Sequence, residues 1–209
     1  MADLKTPFRY DYVGSFLRPE ALKQGKKNFE EGKITKEELT AVEDDCIRDL
    51  VGKIKKLGYH VITDGEFRRS TWHLDFMWGF QGIEHRKTVE GNTTFDAEAA
   101  MIDDTYMVGK ISVKNHPFVE HFKFVKALED ENTVAKQTIP SPGQFYAYFT
   151  GAELLGTTLD IYGSEEAFAK MWQGHMWNLS MRSTQQAAAT FSLMTVYGAV
   201  WLIQNWQLH

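Results

Sequence analysis

Side chains able to do chemistry gather in a few short runs of this 209-residue chain. In VITDGEFRRS, residues 61–70, Glu66 follows the apolar pair Val61 and Ile62 and is expected at the mouth formed by strand ends. A carboxylate there can hold an ammonium group or act as a base. The bland alternative is a loop ion pair between Glu66 and Arg68 or Arg69, and spacing leaves both readings open. Ser15, in VGSF at residues 13–16, lacks the Gly-x-Ser-x-Gly surroundings of a nucleophile elbow, so a turn or hydrogen-bonding serine is the better reading. The run HPFVEH, residues 116–121, comes close to a zinc-binding helix motif, but the five-residue step from His116 to His121 turns the imidazoles off a common face. His60 and His73 read as loop or core-edge histidines. Cys46, the single cysteine, lies on an apolar helical stripe and reads as a structural thiol.

The elements that must position these groups follow from periodicity. Residues 8–16, FRYDYVGSF, are rich in β-formers and predict a strand ending at Gly14-Ser15. Arg18-Pro19 opens a helix. Thr35 with Glu38 is a capping-box pattern, and Leu39, Val42, Cys46, Leu50, Ile54 and Leu57 keep helical spacing until Gly58. The apolar run HVITDGEF then predicts a strand near 60–64. Strand, helix, strand in that order is the mark of parallel β/α construction. A short helix is expected over 72–80, a β-rich excursion over 81–113, an amphipathic helix over 115–130, and a strand at 133–139 ending in Pro140-Ser141-Pro142-Gly143. A further helix starts at Ser164 and runs past Lys170. Parallel folds place reactive groups at the C-terminal strand ends, here Gly14-Ser15, Asp64 to Arg69, and Pro140 to Pro142.

Composition narrows the partners. Hydrophobic residues make up 43% and charged residues 24%, which excludes a disordered or collagen-like chain, and one cysteine excludes a disulfide scaffold. A net charge of -5 with no dense basic cluster argues against nucleic acid, and pairs such as Lys26-Lys27 read as solvated. The charged N-terminus has no signal-peptide run, so the expected location is cytoplasmic.

FRYDYVGSFLRPEAL, VITDGEFRRSTWHLDFMWGF and IPSPGQFY together resemble the cobalamin-independent methionine synthase family, in particular stand-alone relatives of its C-terminal catalytic barrel. The resemblance covers roughly residues 8–170. It implies an α/β fold, the N-terminal part of a (β/α)8 TIM-type barrel with a β-rich excursion. It also implies a methionine-biosynthetic methyltransferase moving a methyl group, from methyltetrahydrofolate in full-length synthases, to the zinc-bound thiolate of homocysteine. By motif, Ser15 matches a homocysteine-contacting serine and Glu66 the glutamate that holds the homocysteine ammonium. The family's zinc ligands, a His-x-Cys pair, a later Glu and a later Cys, belong to the second half of the barrel. This chain has no His-x-Cys, so no catalytic residue, metal ligand or bound zinc is expected in it.

A break in composition divides the chain into 1–170 and 171–209. The last 39 residues contain one charged side chain, Arg182, and four of the six tryptophans. Met and Trp have single codons, so Met171 to Asn178 requires ATG TGG CAR GGN CAY ATG TGG AAY. Read one base earlier, this permits DVARAYVE, an amphipathic continuation of the preceding helix. The same shift over Met194 to Gln204 permits DDCVWGRLADP, an acidic strand end where the family has one and where Met194-Thr195-Val196-Tyr197 now stands. The expectation is a truncated, frameshifted barrel whose apolar tail is helical and promotes self-association. The rival reading is a non-catalytic binding or oligomerising module. A membrane anchor over 183–203 is disfavoured by Gln185, Gln186, Thr190 and Ser192.

Overall fold

Helix α2 (Lys36–Lys56) begins on a complete capping box: Glu38 N–H donates to Thr35 Oγ1 at 3.2 Å, and Thr35 N–H donates to Glu38 Oε2 at 2.7 Å. Such a cap contributes about 1 kcal/mol. The chain reverses after Leu57 and enters β1 (Val61–Ile62). Helix α1 (Glu20–Glu30) starts after Pro19 and packs on α2. The computed structural model describes residues 11–87, 93–95, 98–100, 104–186 and 190–194.

After β1 come α3 (Leu74–Met77), β2 (Gln81–Arg86), β3 (Thr93–Phe95), β4 (Glu98–Ala100) and β5 (Asp104–Ser112). β2 pairs antiparallel with β5, and β3 with β4, which is the expected β-rich excursion. Helix α4 (Pro117–Lys126) leads to β6 (Val134–Pro140), which lies parallel to β1 with Val61 opposite Val134. Then follow α5 (Pro142–Thr150), α6 (Leu155–Tyr162), α7 (Glu165–Gln186) and β7 (Thr190–Met194), the last parallel to β6. The fold is mixed α/β, with a parallel sheet in the order β1-β6-β7.

Two apolar clusters hold these layers together. One joins Leu22 of α1 and Ile47, Val51 and Ile54 of α2 to Ile62 and Ala135 of the sheet. The other joins Phe76, Phe118, Ile139, Phe145, Phe168 and Trp172. Each fully buried side chain of this size stabilises the fold by about 1.5–3 kcal/mol relative to exposure.

Several expectations need correction. Residues 11–16 form no strand, and residues 8–10 lie outside the described set. A side-chain network replaces the ladder: Lys136 Nζ donates to Asp11 Oδ1 at 2.8 Å and to the Tyr12 carbonyl, while the Tyr12 hydroxyl donates to the Val61 carbonyl. Pro140 to Gly143 is less of a loop than its composition implies, because Ser141 Oγ accepts from Gln144 N–H at 3.1 Å and caps α5 at once. The tail is helical through Gln186, but residues 190–194 extend the sheet, so the candidate anchor 183–203 is no continuous helix. Among the described residues, no helix is long and apolar enough to cross a membrane. Packing continues across residue 170, as the helix expected to run past Lys170 requires: Trp172 is 2% exposed, stacks on Phe145 at 3.5 Å and donates from Nε1 to the Pro142 carbonyl at 3.0 Å.

Candidate functional site

The turn after β1 is built by Asp64. Its Oδ1 accepts from Glu66 N–H at 2.9 Å, and its carbonyl accepts from Phe67 N–H at 3.2 Å. This local bonding holds Glu66 at φ +59°, the left-handed region that a glutamate enters at a cost of about 1–3 kcal/mol. Gly65, at φ +64°, is obligatory by space as well as by angle, since a Cβ there would lie 2.5 Å from Leu50 Cδ2.

The turn aims Glu66 at β6. The residue is 5% exposed, and its Oε1 accepts from Thr138 Oγ1 at 2.7 Å and pairs with Arg69 Nη1 at 3.3 Å. Arg69, 2% exposed, also donates from Nη2 to the Thr138 carbonyl at 2.6 Å and to Thr138 Oγ1 at 3.0 Å, with its guanidinium 4.5 Å over the Phe118 ring. The ion-pair alternative for Glu66 is therefore realised with Arg69. Arg68 turns the other way, to Glu43 at 3.1 Å and to Asp44.

The Gly14-Ser15 turn closes the third side. Phe16 N–H donates to the Gly65 carbonyl at 3.1 Å, and a Cβ on Gly14 would meet Thr138 Cγ2 at 2.4 Å and Glu66 Oε1 at 3.4 Å. Gly14 thus lies directly on the Glu66–Thr138 contact, with the exposed Ser15 next in the chain. Arg18 Nη2 donates to the carbonyls of Glu66 and Arg69, both at 3.3 Å, and Lys26 Nζ to the Arg69 carbonyl at 2.7 Å. Lys26 is therefore no solvated surface residue, and burial lowers its pKa. Sequence reasoning missed Thr138, Arg18 and Lys26, and left Arg68 and Arg69 open as partners of Glu66. The period of two along β6, which puts Lys136 and Thr138 on one face, was the available signal for Thr138.

Behind this loop lies α4. His116 caps it: Nδ1 accepts from Phe118 N–H at 3.2 Å, and Nε2 lies 2.9 Å from the Phe76 carbonyl, which it reaches as a donor in the matching neutral tautomer. Burial pushes His116 down to about 4. His121 is also pushed down to about 4, first by burial and then by Arg68, with Asp64 opposing. Asp64 Oδ2 and the Nε atoms of Arg68 and Arg69 are buried without a hydrogen-bond partner among the described residues.

Among the described residues, no three His, Cys, Asp or Glu side chains are grouped to hold a metal ion. His116 has both ring nitrogens engaged, and Cys46 is half-buried on α2 beside the apolar cluster of Leu22, Ile47 and Ile62.

No protein-family profile matches the chain. The uncharacterized proteins YxjH and YxjG of Bacillus subtilis (strain 168) are each 37% identical to it, over 146 and 142 residues, or 68% of this chain and 37% of each relative. The crystal structure of a Listeria monocytogenes protein, provisionally assigned as a vitamin-B12-independent methionine synthase, superposes with a TM-score of 0.68 at 31% identity, covering 91% of this chain and 52% of that one. A B12-independent methionine synthase from Shewanella sp. W3-18-1, solved with selenomethionine, shares the fold at 18% identity and a TM-score of 0.52, over 77% of this chain and 43% of that one. The chain spans about half the length of the first solved structure and little more than a third of the curated relatives. These neighbours support a methionine-synthase-like relation.

Proposed function

We propose that the chain carries the amino-acid-binding part of a methionine-synthase-like barrel, taking a homocysteine-like thiol at the strand ends without completing methyl transfer. The observation that carries this reading is the convergence of two turns and a strand on one buried carboxylate: Gly14-Ser15, Asp64 to Arg69, and β6 at Thr138. Glu66 receives the substrate ammonium, and Ser15, at the rim, hydrogen-bonds the amino acid from the opposite side. A buried carboxylate that meets an ammonium gives a charge-assisted hydrogen bond about twice as strong as a neutral one. Arg69 and Lys26 keep the loop in place. The expected interacting molecules are this thiol amino acid and, in a complete enzyme, a methyl donor.

Zinc, when present in the family, deprotonates the thiol at neutral pH. Among the described residues no donor set for it is grouped, and a shifted reading frame after about residue 170 accounts for the absence of a His-x-Cys pair from the sequence. The purified chain is expected to retain no stoichiometric zinc and to transfer no methyl group from methyltetrahydrofolate to homocysteine. It should nevertheless bind L-homocysteine more tightly than the deamino analogue γ-mercaptobutyrate in ligand-observed NMR. One tightly held zinc with methyl transfer would refute the inactive reading, and equal binding of the two thiols would refute the ammonium site.

A further inference from the structure

We infer that Thr138 and Arg69 are positioning residues that fix which oxygen of Glu66 meets the ligand. This inference rests on the reading that Glu66 receives an ammonium, and it assigns a device behind that contact. The Thr138 hydroxyl donates to Oε1, and Arg69 Nη1 pairs with that same oxygen at 3.3 Å. Oε2 has no donor among the described residues, although the side chain is 5% exposed. A carboxylate rotates about its terminal torsion in a broad well, so nothing intrinsic to glutamate selects one oxygen. A hydroxyl donor and a cation on one oxygen do select it, and they leave the other as the acceptor for the ligand.

The direction of the Thr138 hydroxyl is itself fixed. A hydroxyl has one hydrogen to donate and lone pairs to accept with. Arg69 Nη2 donates into that oxygen at 3.0 Å, which commits the single hydrogen to Glu66. Arg69 is held in turn by the Thr138 carbonyl, by the Phe118 ring, and through its own carbonyl by Arg18 and Lys26. Gly14 completes the device from the other loop, since any Cβ there would strike the Thr138 methyl at 2.4 Å and turn the hydroxyl off Glu66. VGSF and DGEF are thus coupled through a β6 threonine that neither motif contains.

The test measures the affinity ratio of L-homocysteine over γ-mercaptobutyrate for the full 209-residue chain and its variants, with thermal midpoints recorded alongside. Thr138→Val keeps the shape and removes the hydroxyl; it is expected to lower the ratio about tenfold, the size of one charge-assisted hydrogen bond, with γ-mercaptobutyrate binding unchanged. Thr138→Ser restores the ratio. Gly14→Ala, acting from the opposite loop, lowers it as the valine does. A wild-type ratio in folded Thr138→Val, or a serine variant as impaired as the valine, overturns the positioning role while leaving the ammonium site standing. Should Thr138→Val not fold, a serine variant with the wild-type ratio beside a Gly14→Ala with a lowered one supports the role, and a wild-type ratio in Gly14→Ala overturns it. A ratio of one in the wild-type chain removes the ammonium site and the positioning role together.

Discussion

Glu66 combines burial, an ion partner and a left-handed backbone in one residue, and these features depend on one another. The backbone angle turns the side chain to Thr138, and Asp64 stabilises that angle. Breaking the pair from the other side should be costly, because Arg69→Met leaves the Glu66 charge buried without its cation. A loss of about 3–5 kcal/mol is expected in denaturant titrations, against less than about 1 kcal/mol for an exposed pair such as Lys23–Glu20. Equal losses for Arg69→Met and Lys23→Met would show that the inner pair is no more important than a surface one. The sequence already pointed to Glu66 by its place after an apolar strand, and the motif resemblance added Ser15. Neither showed that Arg69 rather than Arg68 is the partner, since that depends on which arginine α2 captures through Glu43 and Asp44.

Elements were most legible where local signals agreed. α2 has a cap, an apolar stripe and a stop, and it spans Lys36–Lys56 as its pattern prescribes. Residues 11–16 have β-forming side chains, yet tertiary bonds from Lys136 and Tyr12 take over the backbone's partners, and no periodicity reports this. α4 has a consequence for pH. His116 and His121 are held near 4 in the folded chain, whereas an unfolded histidine titrates near 6.5. Between those values the unfolded state binds more protons, so stability is complete above about pH 6.5 and falls as pH drops toward 4. The slope is about 1.4 kcal/mol per pH unit for each histidine. His116→Asn, which keeps a capping acceptor, should flatten the fall by that amount in unfolding free energies measured from pH 6.5 to 4.5. An unchanged slope would mean that His116 is not held neutral by burial.

The chain as a whole joins a sheet and helices of familiar composition to a tail with almost no charge. Composition located the change near residue 171, but it did not foresee that Trp172 stacks on Phe145 inside the apolar cluster of Phe76, Phe118 and Phe168. Trp172→Ala is therefore expected to destabilise the protein by about 3–5 kcal/mol, the range for truncating a buried tryptophan. A loss below about 1 kcal/mol would restore a packing boundary at residue 170. The last 39 residues carry a single charge to oppose contact between copies, so the chain is expected to self-associate in sedimentation experiments. A monodisperse monomer with a sharp melt would contradict that expectation.

The central claim is that the buried carboxylate at the strand ends receives an amino-acid ammonium, and the most direct measurement is the dissociation constant of L-homocysteine for the wild-type chain and for Glu66→Gln. Glutamine keeps the shape of the side chain and removes its charge. The substitution is expected to weaken L-homocysteine at least about tenfold while leaving γ-mercaptobutyrate unaffected. Equal affinity of both proteins for L-homocysteine would contradict it.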